Sequence, residues 1–244
     1  MLATAFVAPA QDGSSSFIAP ANAQPRALRK TTHFADGLSA GSTRTIQPRE
    51  HLFCEGDPAS HVYLVEAGHV CIYRMMPDGR RQVIDFAYPG DMIGLGALGE
   101  HAANAQATAK SWVRCIPIAT LHTFVANNAK LGLELYEALS QELLAAREHL
   151  FTVSQCSAPE RVAAFLLALS RRNERRGENP AEIVLPMTRT DIADFLGLTI
   201  ETVSRTLSRF RADGLITIEH CILVTLLDSD GLCDVAASDS ASGK

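Results

Sequence analysis

The sequence contains no run of about 18 apolar residues, the length that a transmembrane helix requires, so no membrane partner is expected. It lacks an excess of positive charge, since its formal net charge is −5, which argues against a generally basic nucleic-acid-binding protein. It also has no phosphate-binding loop and no nucleophile paired with a base in a convincing context, which argues against an enzyme.

The six cysteines show none of the Cys-x-x-Cys spacing that marks metal sites and redox pairs. This usage is typical of reduced thiols rather than of a disulfide framework, and it favours a cytoplasmic location. No pair of the eight histidines shows metal-ligand spacing, so we expect no metal site. Two thiols are candidates for a redox switch, although buried and inert cysteine is the commoner case. They are Cys156, in an expected hinge, and Cys221, in a strand-like run near the C-terminus.

Both ends of the chain have compositions typical of flexible tails. Residues 1–30 are rich in Ala, Pro, Ser and Gln, and residues 229–244 are rich in Ser, Asp, Ala and Gly. The run Ala21-Asn22-Ala23 resembles a signal-peptidase site, but neither a basic segment nor a continuous apolar segment precedes it, so secretion is not expected. Three structured regions are predicted between the tails, at residues 31–120, 121–156 and 157–228.

Short apolar or alternating runs, separated by turn residues, fill the region 31–120. Turn signals occur at Glu55-Gly56-Asp57-Pro58, at Pro77-Asp78-Gly79 and at Pro89-Gly90-Asp91. Many short strands at a spacing of about 8 to 12 residues predict an antiparallel sandwich or barrel.

A long helix, ending in a hinge, is predicted over residues 121–156. Its apolar residues follow a 3-4-3-4-3 spacing, which is the seam of a two-stranded coiled coil. A single amphipathic helix that packs within one chain is the alternative. The seam consists of Tyr136, Leu139, Leu143, Ala146, Leu150 and Val153.

A capping box from Ser157 to Glu160 marks the start of a new domain, because its serine and glutamate satisfy free amides at a helix N-terminus. The helix that follows is predicted to reach Arg172, before a polar loop rich in arginine. Further on, Leu215 to Ile218 and Cys221 to Leu226 are β-rich runs, which predict a hairpin wing.

Between these elements, residues 187–214 show the pattern of two short helices around a tight turn. Thr188 is an N-cap residue with Asp191 three positions on, Gly197 permits the turn, and Thr199 is a second N-cap residue. The second helix carries an apolar stripe that is predicted to face inward. The stripe consists of Ile200, Val203, Leu207 and Phe210.

The opposite face of the second helix is polar near its N-terminus, the end that contacts base edges in a helix-turn-helix. Arginine pairs with guanine, glutamate accepts a hydrogen bond from cytosine, and serine suits a base or a phosphate. An ordinary helical hairpin with a solvated polar face is the alternative. The predicted DNA-binding residues are Thr188, Arg189, Thr199, Glu201, Thr202, Ser204, Arg205, Ser208 and Arg209.

Charge is distributed unevenly along the chain. Residues 158–214 contain nine arginines and eight acidic residues, so this segment is nearly neutral while the remainder carries the negative excess. We therefore expect affinity for DNA to depend on a few placed cations and on helix N-termini. Such binding is expected to weaken strongly as salt increases.

The run LGLTIETVSRTLSRF closely resembles the helix-turn-helix of the Crp/Fnr family of bacterial transcription regulators. Its E-x-x-S-R pattern, formed by Glu201, Ser204 and Arg205, resembles the Fnr and FixK branches, and most of all the FixK-like branch. Residues 62–68 and 89–94 resemble the family's β-roll signatures. The resemblance implies an α+β fold: an N-terminal β jelly roll of the cyclic-nucleotide-binding type at 31–120, a dimerisation helix and a C-terminal winged helix-turn-helix.

The resemblance also implies a homodimer that reads double-stranded DNA with TTGA-type half-sites. Relatives of this kind activate genes for microaerobic or anaerobic respiration and for nitrogen fixation. Activation requires contact with RNA polymerase, for which the resemblance points to the turn between two roll strands at Pro77, Asp78 and Gly79. An ordinary hairpin turn is the alternative for these residues.

Residues that the family uses for two effectors are missing. Members that bind cyclic AMP have a glutamate directly after the P-G-D-x-x-G motif and an Arg-Ser pair downstream; here Leu95 follows the motif, and residues 102–109 contain no Arg or Lys. Fnr-type [4Fe-4S] sensors need four thiolates, yet only Cys115 matches and no cysteine precedes Cys54. We expect no cyclic nucleotide and no cofactor. A sensor gated by haem or a small metabolite is the alternative, with candidate haem ligands His61, His69 and His101.

Overall fold

The computed structural model describes residues 41–220 and 222–237. The predicted N-terminal tail at 1–30, residues 31–40 of the predicted first domain, Cys221 and residues 238–244 of the predicted C-terminal tail lie outside the described residues. Within the described ranges, no helix is long and apolar enough to cross a membrane.

The described part of the N-terminal domain, called the roll below, contains eight strands. They are β1 (Ser42–Ile46), β2 (His51–Phe53), β3 (His61–Ala67), β4 (Val70–Met75), β5 (Arg81–Ala87), β6 (Met92–Ile93), β7 (Asn104–Ala107) and β8 (Ser111–Pro117). They pair in two antiparallel sheets, in the orders β1-β8-β3-β6 and β2-β7-β4-β5. Val65 and Val113 of the first sheet and Val70 and Ala105 of the second belong to one buried cluster. The predicted sandwich is confirmed.

Two helices follow the roll, α1 (Ile118–Asn127) and α2 (Ala129–Gln155). The prediction of one helix over 121–156 is wrong, because Asn128 interrupts it with an extended backbone at φ −142° and ψ 91°. The Asn128 side chain accepts a hydrogen bond from the Leu131 amide at 3.3 Å, so it is the N-cap of α2. Asparagine competes with the helical backbone for hydrogen bonds, which explains the break.

The C-terminal domain starts at the predicted capping box, where the Ser157 amide donates to Glu160 Oε2 at 2.6 Å. Its first helix runs beyond the predicted end at Arg172, because the arginine-rich segment is helical up to Gly177, a left-handed residue at φ 72°. Its elements are α3 (Ala158–Arg176), β9 (Glu182–Val184), α4 (Arg189–Leu196), α5 (Ile200–Ala212), β10 (Ile216–Glu219), β11 (Leu223–Leu226) and α6 (Ser229–Ala237).

A short sheet in the order β10-β11-β9 covers one end of this domain. Strands β10 and β11 form the predicted hairpin wing, with Ile216 opposite Leu226. Strand β9 was not predicted from the sequence. It pairs with β11 through Ile183 opposite Val224, so the wing is anchored by a strand that precedes the helix-turn-helix.

Helix α6 contradicts the predicted flexible tail at 229–244 over the part that is described. Leu232 is fully buried, and Val235 and Ala236 pack against the same core. The Asp228 carboxylate accepts a hydrogen bond from the Gly231 amide at 2.8 Å, which stabilises the start of the helix. Although most residues of this segment are small or polar, Leu232, Val235 and Ala236 follow a helical spacing of three and four. The helix face that they form packs on α3.

One hydrophobic cluster extends from the roll into the C-terminal domain. Val83 and Phe86 of β5 belong to the same buried cluster as Leu166 of α3 and Ile192 of α4. The domain boundary at Ser157 is therefore a boundary along the chain but not in the packing. The helix-turn-helix rests directly on the roll.

Candidate DNA-binding surface

The first helix of the helix-turn-helix, α4, begins at the capping box that the sequence predicts. Thr188 Oγ1 accepts a hydrogen bond from the Asp191 amide at 3.1 Å, and Asp191 Oδ2 accepts one from the Thr188 amide at 2.9 Å. Gly197 ends the helix in the left-handed region at φ 62°, a conformation that glycine adopts without a steric penalty. The turn between the two helices is thus set by local residues.

The second helix, α5, is the candidate recognition helix. Thr199 caps it, since its hydroxyl oxygen accepts a hydrogen bond from the Thr202 amide at 3.2 Å. Val203, Leu207 and Phe210 of the predicted apolar stripe are buried, but Ile200 is 42% exposed. The stripe therefore packs inward over three of its four positions, and its first residue lies at the surface beside the turn.

The polar face of α5 lies at the surface over the predicted positions. The exposed residues include Glu201, Ser204, Arg205, Ser208 and Arg209. Arg205 lies 3.4 Å from the Thr202 hydroxyl, and Arg209 forms an exposed ion pair with Asp213 at 3.5 Å. This face combines donors and acceptors that suit base edges and phosphates.

Glu201 retains its charge at the start of this face. Its own backbone amide, the Thr199 hydroxyl and the Arg205 guanidinium all lower the pKa of its carboxyl, with the backbone hydrogen bond as the largest cause. Glu201 is therefore an ionised hydrogen-bond acceptor at neutral pH. A carboxylate is a strong acceptor and suits a hydrogen bond from a cytosine amino group.

One positioning residue was missed by the sequence analysis. Arg161, in the first turn of α3, donates from Nε to the Cys156 carbonyl at 2.8 Å and from Nη1 to the Leu196 carbonyl at 3.0 Å. It thereby ties the hinge to the turn of the helix-turn-helix. Its position after a capping box gives no signal of this role, because Leu196 lies far along the chain.

The environment of the hinge cysteine, Cys156, disfavours its thiolate form. Burial, followed by the nearby Glu160 carboxylate, raises the pKa of the Cys156 thiol, and a raised pKa reduces the reactive thiolate fraction. The second candidate for a redox switch, Cys221, lies outside the described residues. The redox switch stays a prediction.

The predicted seam of α2 is largely exposed in the single chain. Tyr136, Leu139, Leu143 and Leu150 are 68%, 40%, 53% and 69% exposed, and Ala146 is exposed as well. Only Leu131 and Leu135 of this helix are buried hydrophobic residues. Val153 differs, because it is half-buried and its Cγ1 lies against Gly197. Much of α2 thus presents an unpartnered apolar face.

The candidate polymerase contact forms a tight turn between β4 and β5. The Met76 amide donates to the Arg80 carbonyl at 2.7 Å, and the Asp78 carboxylate accepts from Arg80 Nε at 2.7 Å. Hydrogen bonds from Arg80 lower the pKa of Asp78. The turn therefore presents an ionised carboxylate on the surface of the roll.

The candidate haem ligands lie in three different environments. His61 Nδ1 is 2.9 Å from the Ser60 hydroxyl, and His101 is buried with its ring stacked on Phe53 at 3.6 Å. His69 lines a cleft of about 380 Å³ between the roll and α3. Burial, then Arg172 and Arg176, lowers its pKa to about 4. Among the described residues, no group of three His, Cys, Asp or Glu side chains converges to hold a metal ion.

The cleft at His69 also contains arginines, but their charges are compensated. Arg172 pairs with Asp91 and Arg176 pairs with Glu178. Leu95, which by the resemblance stands where cyclic-AMP-binding members have a glutamate, is partly buried against an apolar cluster that includes Val62. Among the described residues that line the cleft, both arginines are thus already paired with carboxylates.

Two family models match the chain, a cyclic nucleotide-binding domain over residues 43–128 and a Crp-like helix-turn-helix domain over residues 160–235. The nitrogen fixation regulation protein FixK of Bradyrhizobium diazoefficiens is 37% identical over 193 residues, which cover 79% of this chain and 76% of that protein. The chain belongs to the Crp/Fnr family of transcription regulators.

Other members of the Crp/Fnr family agree with this assignment. The fumarate and nitrate reduction regulatory protein of Escherichia coli K12 is 34% identical over 195 residues, which cover 79% of this chain and 78% of that protein. The structure of FixK2 from Bradyrhizobium japonicum has a TM-score of 0.75 at 32% identity, covering 83% of this chain and 99% of that chain. The expected fold, the FixK-like resemblance and the role as a DNA-binding regulator rather than an enzyme are confirmed.

Replacing Arg205 by alanine is expected to weaken binding to the cognate DNA by about 1 to 3 kcal/mol and to relax specificity at a single base pair. The reason is that a bidentate arginine contact discriminates one base from the others. Fluorescence anisotropy with duplexes that vary one position at a time measures both effects. The matched control is Arg211→Ala, an exposed cation on the same helix. Equal weakening of Arg205→Ala on every duplex would contradict base reading by this residue.

Proposed function

We propose that this Crp/Fnr family regulator binds TTGA-type palindromes as a homodimer in the cytoplasm. The observation that carries the proposal is the exposed face of α5, on which Glu201, Ser204 and Arg205 lie together in the E-x-x-S-R pattern. Arg205 is assigned to a guanine, Glu201 to the complementary strand, and Ser204 to a neighbouring base pair. Thr188, Arg189, Thr199 and Thr202 lie near the starts of α4 and α5, where contacts to phosphates are favourable.

We further propose that the regulated genes serve microaerobic or anaerobic respiration or nitrogen fixation. The support for this is the similarity to FixK and to the fumarate and nitrate reduction regulatory protein. We propose that the protein uses neither a cyclic nucleotide nor a cofactor. Leu95 occupies the ribose-binding position, where members that bind cyclic AMP have a glutamate. Cys115 matches one cysteine of Fnr-type sensors, but their N-terminal cysteines have no counterpart in the sequence.

A DNA-binding selection with ligand-free, full-length protein tests this function. Under both aerobic and anaerobic conditions, we expect enrichment of a palindrome with TTGA-type half-sites, because no effector is required in the proposal. Recovery of a different consensus would overturn the assignment of the α5 residues. Binding that appears only after addition of haem or a metabolite would favour the sensor alternative, and an absorption spectrum would then identify haem by its Soret band.

The homodimer is proposed to form through α2. Family members bind DNA as dimers, and the exposed seam of α2 supplies an apolar face for a second copy. Pairing along this helix would place the two recognition helices about 34 Å apart, one turn of DNA. Each helix would then read one half-site.

Two adjacent alanines of α2 provide a matched test of this dimer. Ala146 lies on the predicted seam and Ala145 lies beside it, and both are exposed in the single chain. We expect Ala146→Glu to form monomers in sedimentation velocity, because a buried carboxylate without a partner is costly. Loss of bivalent binding should then weaken palindrome binding by at least about 100-fold.

In the same experiment, Ala145→Glu should remain dimeric with unchanged DNA affinity. A dimeric Ala146→Glu protein, or equal effects of the two substitutions, would show that this face of α2 is not the interface.

The turn at Pro77, Asp78 and Gly79 is proposed to contact RNA polymerase during activation. Its support is the position between two roll strands and the ionised carboxylate that it exposes. Asp78→Ala is expected to lower transcription from a TTGA-type promoter while the affinity for promoter DNA stays the same. In vitro transcription and anisotropy measure the two quantities separately. Unchanged transcription would leave the residues as an ordinary hairpin turn.

A further inference from the structure

An ion pair joins the helix-turn-helix to the roll of its own chain. Arg81 Nη1, at the start of β5, lies 2.7 Å from Asp191 Oδ1, in the first turn of α4. The Asp191 side chain is only 9% exposed and the Arg81 side chain 28%. The interaction is therefore shielded from bulk solvent and weakly screened by salt.

Two further contacts join the same two elements. Gln82 Nε2 donates to the Asp194 carbonyl at 2.5 Å, and the Phe86 ring lies 5.4 Å from the Phe195 ring. Positions 191, 194 and 195 are spaced by three and four along α4, so they occupy one face of the helix. We call these three contacts of β5 with α4 the clasp.

The far side of Phe195 is also occupied. The His149 ring of α2 stacks on it at 4.1 Å with an interplanar angle of 14°, and Phe165 of α3 lies 5.8 Å away. Burial lowers the pKa of His149, which favours the neutral ring and suits an apolar contact. Helix α4 is thereby enclosed by the roll on one side and by α2 on the other.

Arg81 is itself fixed in the roll. Its guanidinium lies 4.1 Å from the centre of the Tyr73 ring and 3.0 Å from Cys71 Sγ. Its partner Asp191 also closes the capping box with Thr188. The same carboxylate therefore defines where α4 begins and where α4 sits on the roll.

We propose that Arg81 is a positioning residue for DNA binding, which through the clasp fixes the helix-turn-helix at a defined place on the roll. This rests on the proposed reading of a two-fold site by a dimer. A buried ion pair adds little net stability once desolvation is counted, so its effect is on geometry. With the clasp closed, the separation of the two recognition helices is set by the rolls and α2. With the clasp open, α4 loses one of its constraints and can shift about the hinge at Cys156 and Ser157, within the limits set by the pair of Arg172 of α3 with Asp91 of the roll.

The consequence is a preference for one spacing between half-sites. We would measure the affinity of full-length protein for duplexes with two TTGA half-sites at the optimal spacing and at spacings one base pair longer or shorter. The quantity of interest is the dissociation constant at a shifted spacing divided by the dissociation constant at the optimal spacing. In Arg81→Met this ratio is expected to fall about fivefold or more, which is the scale of ordinary coupling between sites. A loss of general stability alone would weaken all duplexes equally.

Two other variants keep the test decisive. Gln82→Ala removes the second contact at an exposed side chain, so it leaves the fold intact, and it should lower the ratio in the same direction. Arg74→Met is the matched control, because Arg74 pairs with Glu55 at the same 2.7 Å, but both residues lie in the roll. It should keep the wild-type ratio.

Hydrogen exchange of the α4 amides, measured without DNA, reports separately whether the clasp opens. Faster exchange in Arg81→Met and Gln82→Ala together with a lower ratio supports the proposal. Faster exchange with an unchanged ratio overturns the positioning role, and unchanged exchange in both variants overturns the clasp. If the wild-type protein binds no TTGA palindrome, the proposed function fails, and the exchange data alone decide whether the clasp holds α4.

Discussion

The position of the candidate recognition helix, α5, depends on the packing of α4 against β5. Phe195 of α4 lies among Phe86 of the roll, Phe165 of α3 and His149 of α2, so one side chain joins four elements. Moving α4 away would return apolar surface to water at a cost of about 25 cal/mol per Å². Because α5 follows α4 after a turn of three residues, 197–199, the recognition helix moves with it. The roll thus packs directly against the helix that precedes the candidate recognition helix.

Placement of charge, rather than total charge, lets a chain with a net charge of −5 act as a DNA-binding regulator. Arg205 and Arg209 are exposed on α5, and the N-termini of α4 and α5 add partial positive charge from their backbone amides. The Glu201 carboxylate stays ionised because local hydrogen bonds and Arg205 lower its pKa. Its negative charge is partly offset, since Arg205 lies close enough to lower the pKa of its carboxyl. Positive charge is therefore concentrated locally on the candidate surface.

Several errors in predicting secondary structure have local physical causes. The seam of α2 stays a prediction, but the helix was extended through Asn128, whose side chain caps a new helix instead of continuing the old one. The segment after Asp228 has the composition of a flexible tail, yet a single leucine, Leu232, becomes fully buried against α3. In both cases the decisive interaction involves one residue, and average composition or periodicity does not reveal it. The arginine-rich segment 171–176 is similar, because Gly177 rather than the first polar residue ends α3.

The sequence by itself determined the elements that depend on neighbours along the chain. Thr188 with Asp191, Gly197 and Thr199 define the helix-turn-helix through hydrogen bonds that span three residues or fewer and through one backbone conformation. The polar face of α5 follows from helical spacing alone. Only the tertiary structure decided where this module sits. Arg81 and Asp191 are 110 residues apart, and Arg161 reaches Leu196 across 35 residues. No local pattern indicates such pairs, because they exist only once the roll and the helices pack around a common core.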